Sequence, residues 1–476
     1  MSWQWVIGLE VHVQLNTASK IFSTSANVFS MDANRHANLV DLAMPGTLPV
    51  VNEAAIYKAI SLGLALGSKI NRLIAFDRKN YFYPDLPKAY QITQLYRPII
   101  EGGELEINLE GKNKKIAITR AHLEENAGKS IHDLFAHETA LDFNRAGTPL
   151  IEVVSEPVLH SSAEAVAYAK ALHDLVMWLG ICEGDMSRGL FRADVNVSVK
   201  REDSTLLGTR CEIKNLNSFR SIGEAIDYEA NRQIEVLEAG GSILQETRLF
   251  DPDLGETRAM RSKEEAHDYR YFPDPDLSFI AISEQTIDHI QAHMPELPQS
   301  LRRRFSEQYG LTEEEAFEIS TSWNQAQFFE QVAKKTGEGK QAFNWLVGDI
   351  AARLKREEKD FADLSLSPTQ LSDLISRIQQ GVLSSKLAKK VLAALWNSED
   401  TVDQIIDREG YRQMTDSSAM EKMVEEVIQL HFKSVQEYQA GKEKALNALV
   451  GQVMKLSRGK ANPQEIQAIL KQKLKN

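Results

Sequence analysis

Cysteine is nearly absent, with two residues in a chain of 476. That excludes a disulfide framework and a zinc site built on cysteines, and it fits a reducing compartment. Long hydrophobic runs are missing as well. No stretch approaches 18 consecutive apolar residues, and the opening Met1-Ser-Trp-Gln-Trp5 has neither a basic start nor an apolar h-region. Membrane spanning and secretion are therefore not expected, and a cytoplasmic location is. The usual phosphate-binding glycine motifs are lacking too. Gly128-Lys129-Ser130 has Leu123 where a phosphate loop needs its leading glycine, and no Gly-x-Gly-x-x-Gly follows a strand. Any nucleotide is bound in another way.

Positive charge is outnumbered, 55 Lys and Arg against 67 Asp and Glu. The net charge of −12 by itself argues against a nucleic-acid partner. Its distribution argues the other way. Residues 433–476 hold nine Lys and Arg against three Glu, a local balance of +6 that leaves −18 on the rest. Phosphate contacts at that end and a solubilising helix surface both account for such a tail. The remaining composition, 43% apolar and 26% charged, is that of a globular protein with two to four domains.

What is present begins with Ile7-Gly-Leu-Glu-Val-His-Val-Gln-Leu15. Ile7, Leu9, Val11, Val13 and Leu15 share one face of an extended chain. Glu10, His12 and Gln14 share the other, ~7 Å apart along it. A solvated strand face is one reading; a divalent-metal site is the other. The pattern returns. In Phe191–Lys200, Arg192, Asp194, Asn196, Ser198 and Lys200 oppose a face of Ala and Val. In 210–214, Arg210, Glu212 and Lys214 oppose Cys211 and Ile213. A fourth strand, Lys115–Glu125, ends on Arg120, His122, Glu124 and Glu125. Four strands with one apolar face each predict an antiparallel sheet with one side on a core and the other open. An open side mixing acids, bases and amides suits a metal and a polyanionic substrate together.

Two aromatic–proline strings stand out, Phe76–Pro98 and Asp268–Leu277. Their prolines predict shaped loops, and their similarity predicts that both flank one cleft. Pinning to the core and stacking of a base are both open to them. Helical spacing covers 162–179 and 221–239, and Asn52 precedes an apolar stripe from Ala55 to Leu66. From about residue 293 alternation stops and capped helices take over, with capping boxes at Thr312–Glu315 and Ser367–Gln370. A polar stretch at 397–400 and Gly410 mark a further boundary near 405. Ser384-Ser-Lys386 lacks the Gly/Ser-rich surround of an amidase and opens a helix.

These strings resemble one family, the B-type subunits of the tRNA-dependent amidotransferases that make Gln-tRNA or Asn-tRNA from misacylated precursors. The resemblance rests on Gly8–Leu15, Arg78–Lys88, His122–Glu125, Asp194–Ser198, Glu212–Phe219, Asp268–Pro273 and Leu449–Lys455, which run from end to end. It implies an α+β fold: a glutamine-synthetase-like antiparallel catalytic sheet, or cradle, over 1–292. A helical domain over 293–405 and a small tRNA-binding tail domain over 406–476 follow. It implies ATP and Mg²⁺ (or Mn²⁺) as cofactors, and no zinc, since the zinc-binding cysteines of some relatives are absent. It implies three partners: an amidase subunit that supplies ammonia, a small third subunit completing a heterotrimer, and misacylated tRNA(Gln) or tRNA(Asn). Whether Glu-tRNA, Asp-tRNA or both is the substrate stays open.

Glu10, His12 and Glu125 match the family's metal-site motif, with Glu124, Asp194 and Glu212 as further ligands. Shared faces put Arg192, Arg210 and Lys214 forward for phosphate. Arg78, Lys79, Lys88 and Arg248 are candidates for the nucleotide, and Lys442, Lys444, Lys455, Arg458 and Lys460 for tRNA. Two departures stand out: Asn126 replaces the Asp usual after His-Leu-Glu-Glu, and 186–192 lacks the usual acidic-Gly-Ser run.

Overall fold

The computed structural model describes residues 2–132, 134–135, 137–262, 266–411, 417–457 and 461–474. It divides into two units, residues up to Leu297 and residues from Pro298 onward.

The first unit is built on Trp3–Gln14 (β1), whose alternation yields the expected faces. Ile7, Leu9, Val11 and Val13 are fully buried, whereas Glu10, His12 and Gln14 are half-buried. Burial of each such aliphatic side chain contributes roughly 1.5–3 kcal/mol. Nine further strands join β1. They are Lys69–Ile70 (β2), Ile100–Glu101 (β3), Glu104–Leu109 (β4), Lys112–Glu125 (β5), Pro149–Ser155 (β6), Phe191–Arg201 (β7), Cys211–Lys214 (β8), Glu246–Asp251 (β9) and Glu256–Ser262 (β10). Their order is β10-β9-β8-β7-β1-β6-β5-β3-β2, with β4 pairing β5.

The pairs around β1 are antiparallel, as expected. β8 and β9 run parallel, so the expectation of a wholly antiparallel sheet is corrected there. The reason lies in the connection. Between those strands the chain makes a helix, Phe219–Glu238, and a helical crossover returns a strand in the same direction.

Three helices close the apolar face: Glu53–Ala65 (α1), Ser162–Trp178 (α2) and Phe219–Glu238 (α3). Each starts at a side-chain cap. Asn52, Ser161 and Ser218 accept from the backbone N–H groups of Ala54, Glu164 and Ser221, satisfying otherwise unpaired donors. Ala165, Tyr168, Leu172, Ile222, Ala225 and Ile226 pack into one core with Ile7–Val13. The polar face of the sheet is left for other work.

The aromatic–proline strings are not wholly loops. Asp77–Asn80 pairs with Tyr90–Thr93 on one side and Phe272–Pro273 on the other, with Phe272 opposite Arg78. The turn of 81–89 carries Pro84 and Pro87, and Pro273 stands on the edge strand, where a ladder N–H is not needed. The two strings thus hold each other directly: Asn80 Nδ2 donates to the carbonyls of Tyr269 and Arg270.

The second unit is helical throughout its described residues. The capping boxes at Thr312 and Ser367 both form. Ser384 caps Ser385–Leu395 through its own hydroxyl, a structural duty. Met420, Val424, Leu449, Val453, Ile466 and Leu470 make a separate core near the C-terminal end. Lys442, Lys444 and Lys455 are exposed there, while Arg458 and Lys460 lie outside the described residues. Among the described residues no helix is long and apolar enough to cross a membrane.

Candidate active site

Register brings distant residues into one row. On the open face His12 sits opposite Glu152 of β6 and Arg192 of β7, and Glu152 in turn sits opposite His122 of β5. Glu124 follows two residues on from His122. The His12 Nε2 atom lies 3.3 Å from Glu152 Oε2 and 3.5 Å from Glu124 Oε1. His122 Nε2 lies 3.3 Å from the same Glu152 oxygen and 3.7 Å from Glu124 Oε2. These separations are longer than good hydrogen bonds. They match donor atoms on neighbouring corners of a polyhedron with bonds of ~2.1 Å. His12, Glu124 and Glu152 each offer a ligand atom, and the three lie within 4.8 Å of one another.

Electrostatics agree with that geometry. Burial works to lower the His122 pKa, but the two carboxylates outweigh it and push it up to about 9. His12 is raised for the same reasons. Burial opposes the charge on Glu152, yet the two imidazoles hold it well below the ordinary carboxylate range. A charged His122 therefore balances these acids, and a divalent cation would take over that charge. His122 Nδ1 is buried without a hydrogen-bond partner among the described residues.

A second acid group lies one step along the strands. Asn196 Nδ2 donates to Glu10 Oε1 at 2.9 Å. Lys214 Nζ bonds Asp194 at 2.6 Å and lies 3.6 Å from Glu212, whose other oxygen accepts from Thr247 at 2.8 Å. Burial opposes the Lys214 charge, but Asp194, Glu212 and Glu10 keep it above the ordinary lysine range. Beside Glu10 opens a cleft of about 660 Å³ lined by Gly8, Ser155, Asn196, Ser198, Arg210 and Gln245 among others. Two local features make the room. Gly8 leaves its place on the open face without a side chain. The ladder between β6 and β5 slips at Val154/Ser155, a bulge that ends regular pairing there. The cleft wall at Gly208 runs so close to β7 that a Cβ would come within 2.1 Å of the Val199 carbonyl oxygen.

Several candidate residues fall elsewhere. Glu125 alternates with Glu124 and so points to the opposite face, because a strand has period two. Its carboxylate takes Lys88 Nζ at 2.5 Å and the Ile92 N–H at 2.8 Å, away from His12. Lys88 is committed to that pair. Arg78 bonds Asp274 at 3.0 Å and Asp276 at 2.8 Å and lies over the Tyr90 ring. Lys79 lies 4.6 Å from the centre of the Tyr269 ring. Arg248 is buried on the other face, held by Thr257, Glu246 and Glu229. Arg210 is exposed at the cleft mouth. Arg188, in the departing 186–192 segment, pairs with Glu183 and covers Phe29. Asn126 is buried, its N–H on the Thr148 carbonyl and its Nδ2 without a partner among the described residues.

Glu152 was not among the sequence candidates. The one available signal was a lone acid in the apolar strand Pro149–Ser155, on the face of Leu150 and Val154. Tyr81 and Tyr271 were also missed. Burial and the nearby carboxylates, Glu124 for both and Glu152 for Tyr271, raise both phenols.

With this geometry in place, the comparisons with known proteins decide the family. Residues 5–288 match the GatB/GatE catalytic domain and residues 327–474 the GatB domain. Full-length relatives named as the B subunit of aspartyl/glutamyl-tRNA(Asn/Gln) amidotransferase are 57% identical in Chromobacterium violaceum, 56% in Thiobacillus denitrificans and 54% in Neisseria meningitidis, each covering 100% of both chains. The chain belongs to this family of amidotransferase B subunits. All the strands of the polar face lie inside the region matched to the catalytic domain of that family, and Lys442, Lys444 and Lys455 lie inside the region matched to its second domain.

Proposed function

We propose that this chain catalyses ATP-dependent phosphorylation of the Glu or Asp side chain carried by misacylated Glu-tRNA(Gln) or Asp-tRNA(Asn), in the cytoplasm. A side-chain carboxylate oxygen attacks the γ-phosphorus, the bond to the β–γ bridging oxygen breaks, and ADP leaves. Ammonia from a separate amidase subunit then adds to the acyl carbon of the mixed anhydride and expels inorganic phosphate, giving Gln-tRNA or Asn-tRNA. A small third subunit completes the heterotrimer. The sheet serves as the glutamine-synthetase-like cradle.

One observation carries this reading: two imidazoles and two carboxylates converge beside an open cleft on a rigid sheet. The donor set fits a divalent cation, Mg²⁺ or, given its imidazoles, Mn²⁺. His12, Glu124 and Glu152 would hold it, and when bound it supplies neutralisation of the phosphate charge. Asn196 fixes Glu10 at the cleft. Arg210 at the mouth supplies a cation for the phosphates, while Lys214 is occupied in holding three acids together.

The test is ADP release by the assembled complex with and without misacylated tRNA, for wild type and Glu10→Gln. Release that needs aminoacylated tRNA and dies with Glu10 is expected; release that persists in the variant would falsify the assignment. For the tail, we expect replacement of Lys442, Lys444 and Lys455 by Gln to weaken tRNA binding and to reduce its salt slope by about two to three. A slope equal to wild type would show that these lysines contact no phosphate.

A further inference from the structure

Most cations around the site are spoken for. Lys88, Lys214, Arg78 and Arg248 each face a carboxylate at 3.1 Å or less. Arg145 and Arg192 differ. Neither makes an ion pair within 4.0 Å among the described residues. The Arg192 Nε is buried with no hydrogen-bond partner among them. A buried charged donor left so costs about 1–3 kcal/mol or more, which a bound anion would offset.

Arg145 is fixed from behind. Its Nε donates to the Ala127 carbonyl at 3.1 Å and its Nη2 to the Gly128 carbonyl at 2.6 Å. Two further bonds tie its loop to the segment after β5: Asn126 N–H to the Thr148 carbonyl and Gly147 N–H to the Asn126 carbonyl. Thr148 reaches Gln14 at 3.5 Å, so this loop stands at the Gln14 end of β1. Arg192 pairs with His12 on the same strand. Arg145 is exposed at its loop, yet desolvation of its head group and the nearby Arg192 charge lower its pKa against the pull of Asp85 and Asp142. Like charges brought together with no acid inside ion-pair distance among the described residues mark a place for an anion.

Position along β1 says which anion. The cleft lies at Gly8–Glu10, the imidazole–carboxylate cluster at His12, and the arginines at His12–Gln14. In-line transfer puts donor and acceptor on opposite sides of the phosphorus. We infer that Arg145 and Arg192 form the subsite that receives the side-chain carboxylate of the esterified amino acid. The inference rests on the phosphoryl-transfer reading above. It also explains product release: the amide formed in the reaction carries no charge and loses that attraction.

The test uses the assembled complex with ATP. Wild type is expected to bind misacylated tRNA more tightly than tRNA carrying the amide product. In Arg145→Gln this preference disappears and the KM for misacylated tRNA rises at least tenfold. The Kd for uncharged tRNA and the KM for ATP stay at wild-type values, and Arg145→Lys recovers part of the loss. Equal weakening for charged and uncharged tRNA would mean that the arginines hold RNA phosphate, and it overturns the inference. So does a preference that survives in Arg145→Gln, or a loss that extends to ATP and to thermal stability. Glu152→Gln run in parallel separates the two levels: if it turns over like wild type, the phosphoryl-transfer reading itself falls and takes the subsite with it.

Discussion

Two carboxylates in the same unit, one buried and one half-buried, have opposite surroundings. Glu229 on α3 is saturated. Arg232 meets its two oxygens at 2.6 and 2.9 Å, Gln233 and Thr257 each donate at 2.8 Å, and Arg248 lies at 3.1 Å. Glu152 on β6 has two imidazoles at 3.3 Å, one of them with an unpartnered Nδ1. One acid is finished by the fold, and it locks α3 onto β9 and β10. The other is left with contacts longer than good hydrogen bonds and too charged to be idle. Complete satisfaction at ordinary distances marks a structural group; convergence without it marks a place for a ligand.

Exchanging each acid for its amide is the strongest way to break this comparison. We expect Glu152→Gln to reduce tRNA-dependent ADP formation at least a thousandfold, about 4 kcal/mol of transition-state stabilisation. Its urea unfolding free energy at pH 7 should fall by roughly 1–2 kcal/mol, less than half the activity effect, since the imidazoles that lose this charge can shed their protons. A stability loss matching the activity loss would erase the distinction.

Glu229→Gln should do the reverse. Two guanidinium groups lose their buried counter-charge, which costs about 3–5 kcal/mol in urea unfolding. Folded protein should keep its ATP turnover within a few-fold. Preserved stability would show that this network is not what fixes α3.

The smallest effect is expected at Glu330 in the helical unit, a carboxylate of intermediate kind. Burial raises its pKa, but Arg304 and Lys334 outweigh burial and lower it to about 2. A depressed carboxylate contributes stability that is fully present above its ordinary 4.5 and is lost as pH falls toward about 2. Glu330→Gln should therefore cost on the order of 1 kcal/mol at pH 7, and the two proteins should converge near pH 2. Denaturation curves that stay equally separated from pH 7 to pH 2 would exclude the charge pair as the cause.

Much of this arrangement is legible in the chain. Alternation placed Glu10, His12, Arg192, Asp194 and Glu212 on one face, because a strand's period is local. Caps placed the starts of α1 and several later helices for the same reason. What was not legible depends on register and distant partners. Glu152 becomes a neighbour of His12 only when β6 pairs with β1. Arg78 loses its availability to Asp274, 196 residues away. Glu124 and Glu125 look equivalent as a string, and only the pleat separates them. Arg145 sits in a loop, where no period exists to be read.

The central place of β1 has a consequence for how the molecule is made. Its neighbours, β6 and β7, come from residues 149–155 and 191–201. During synthesis the first strand leaves the ribosome with no partner for its hydrogen bonds and no helix over its valines. At roughly 5–20 residues per second, the wait for β7 is about ten to forty seconds. Such high contact order makes the early chain slow to fold and open to mispairing. The strand at the centre of the finished sheet is, for that interval, the part of the nascent unit most in need of protection.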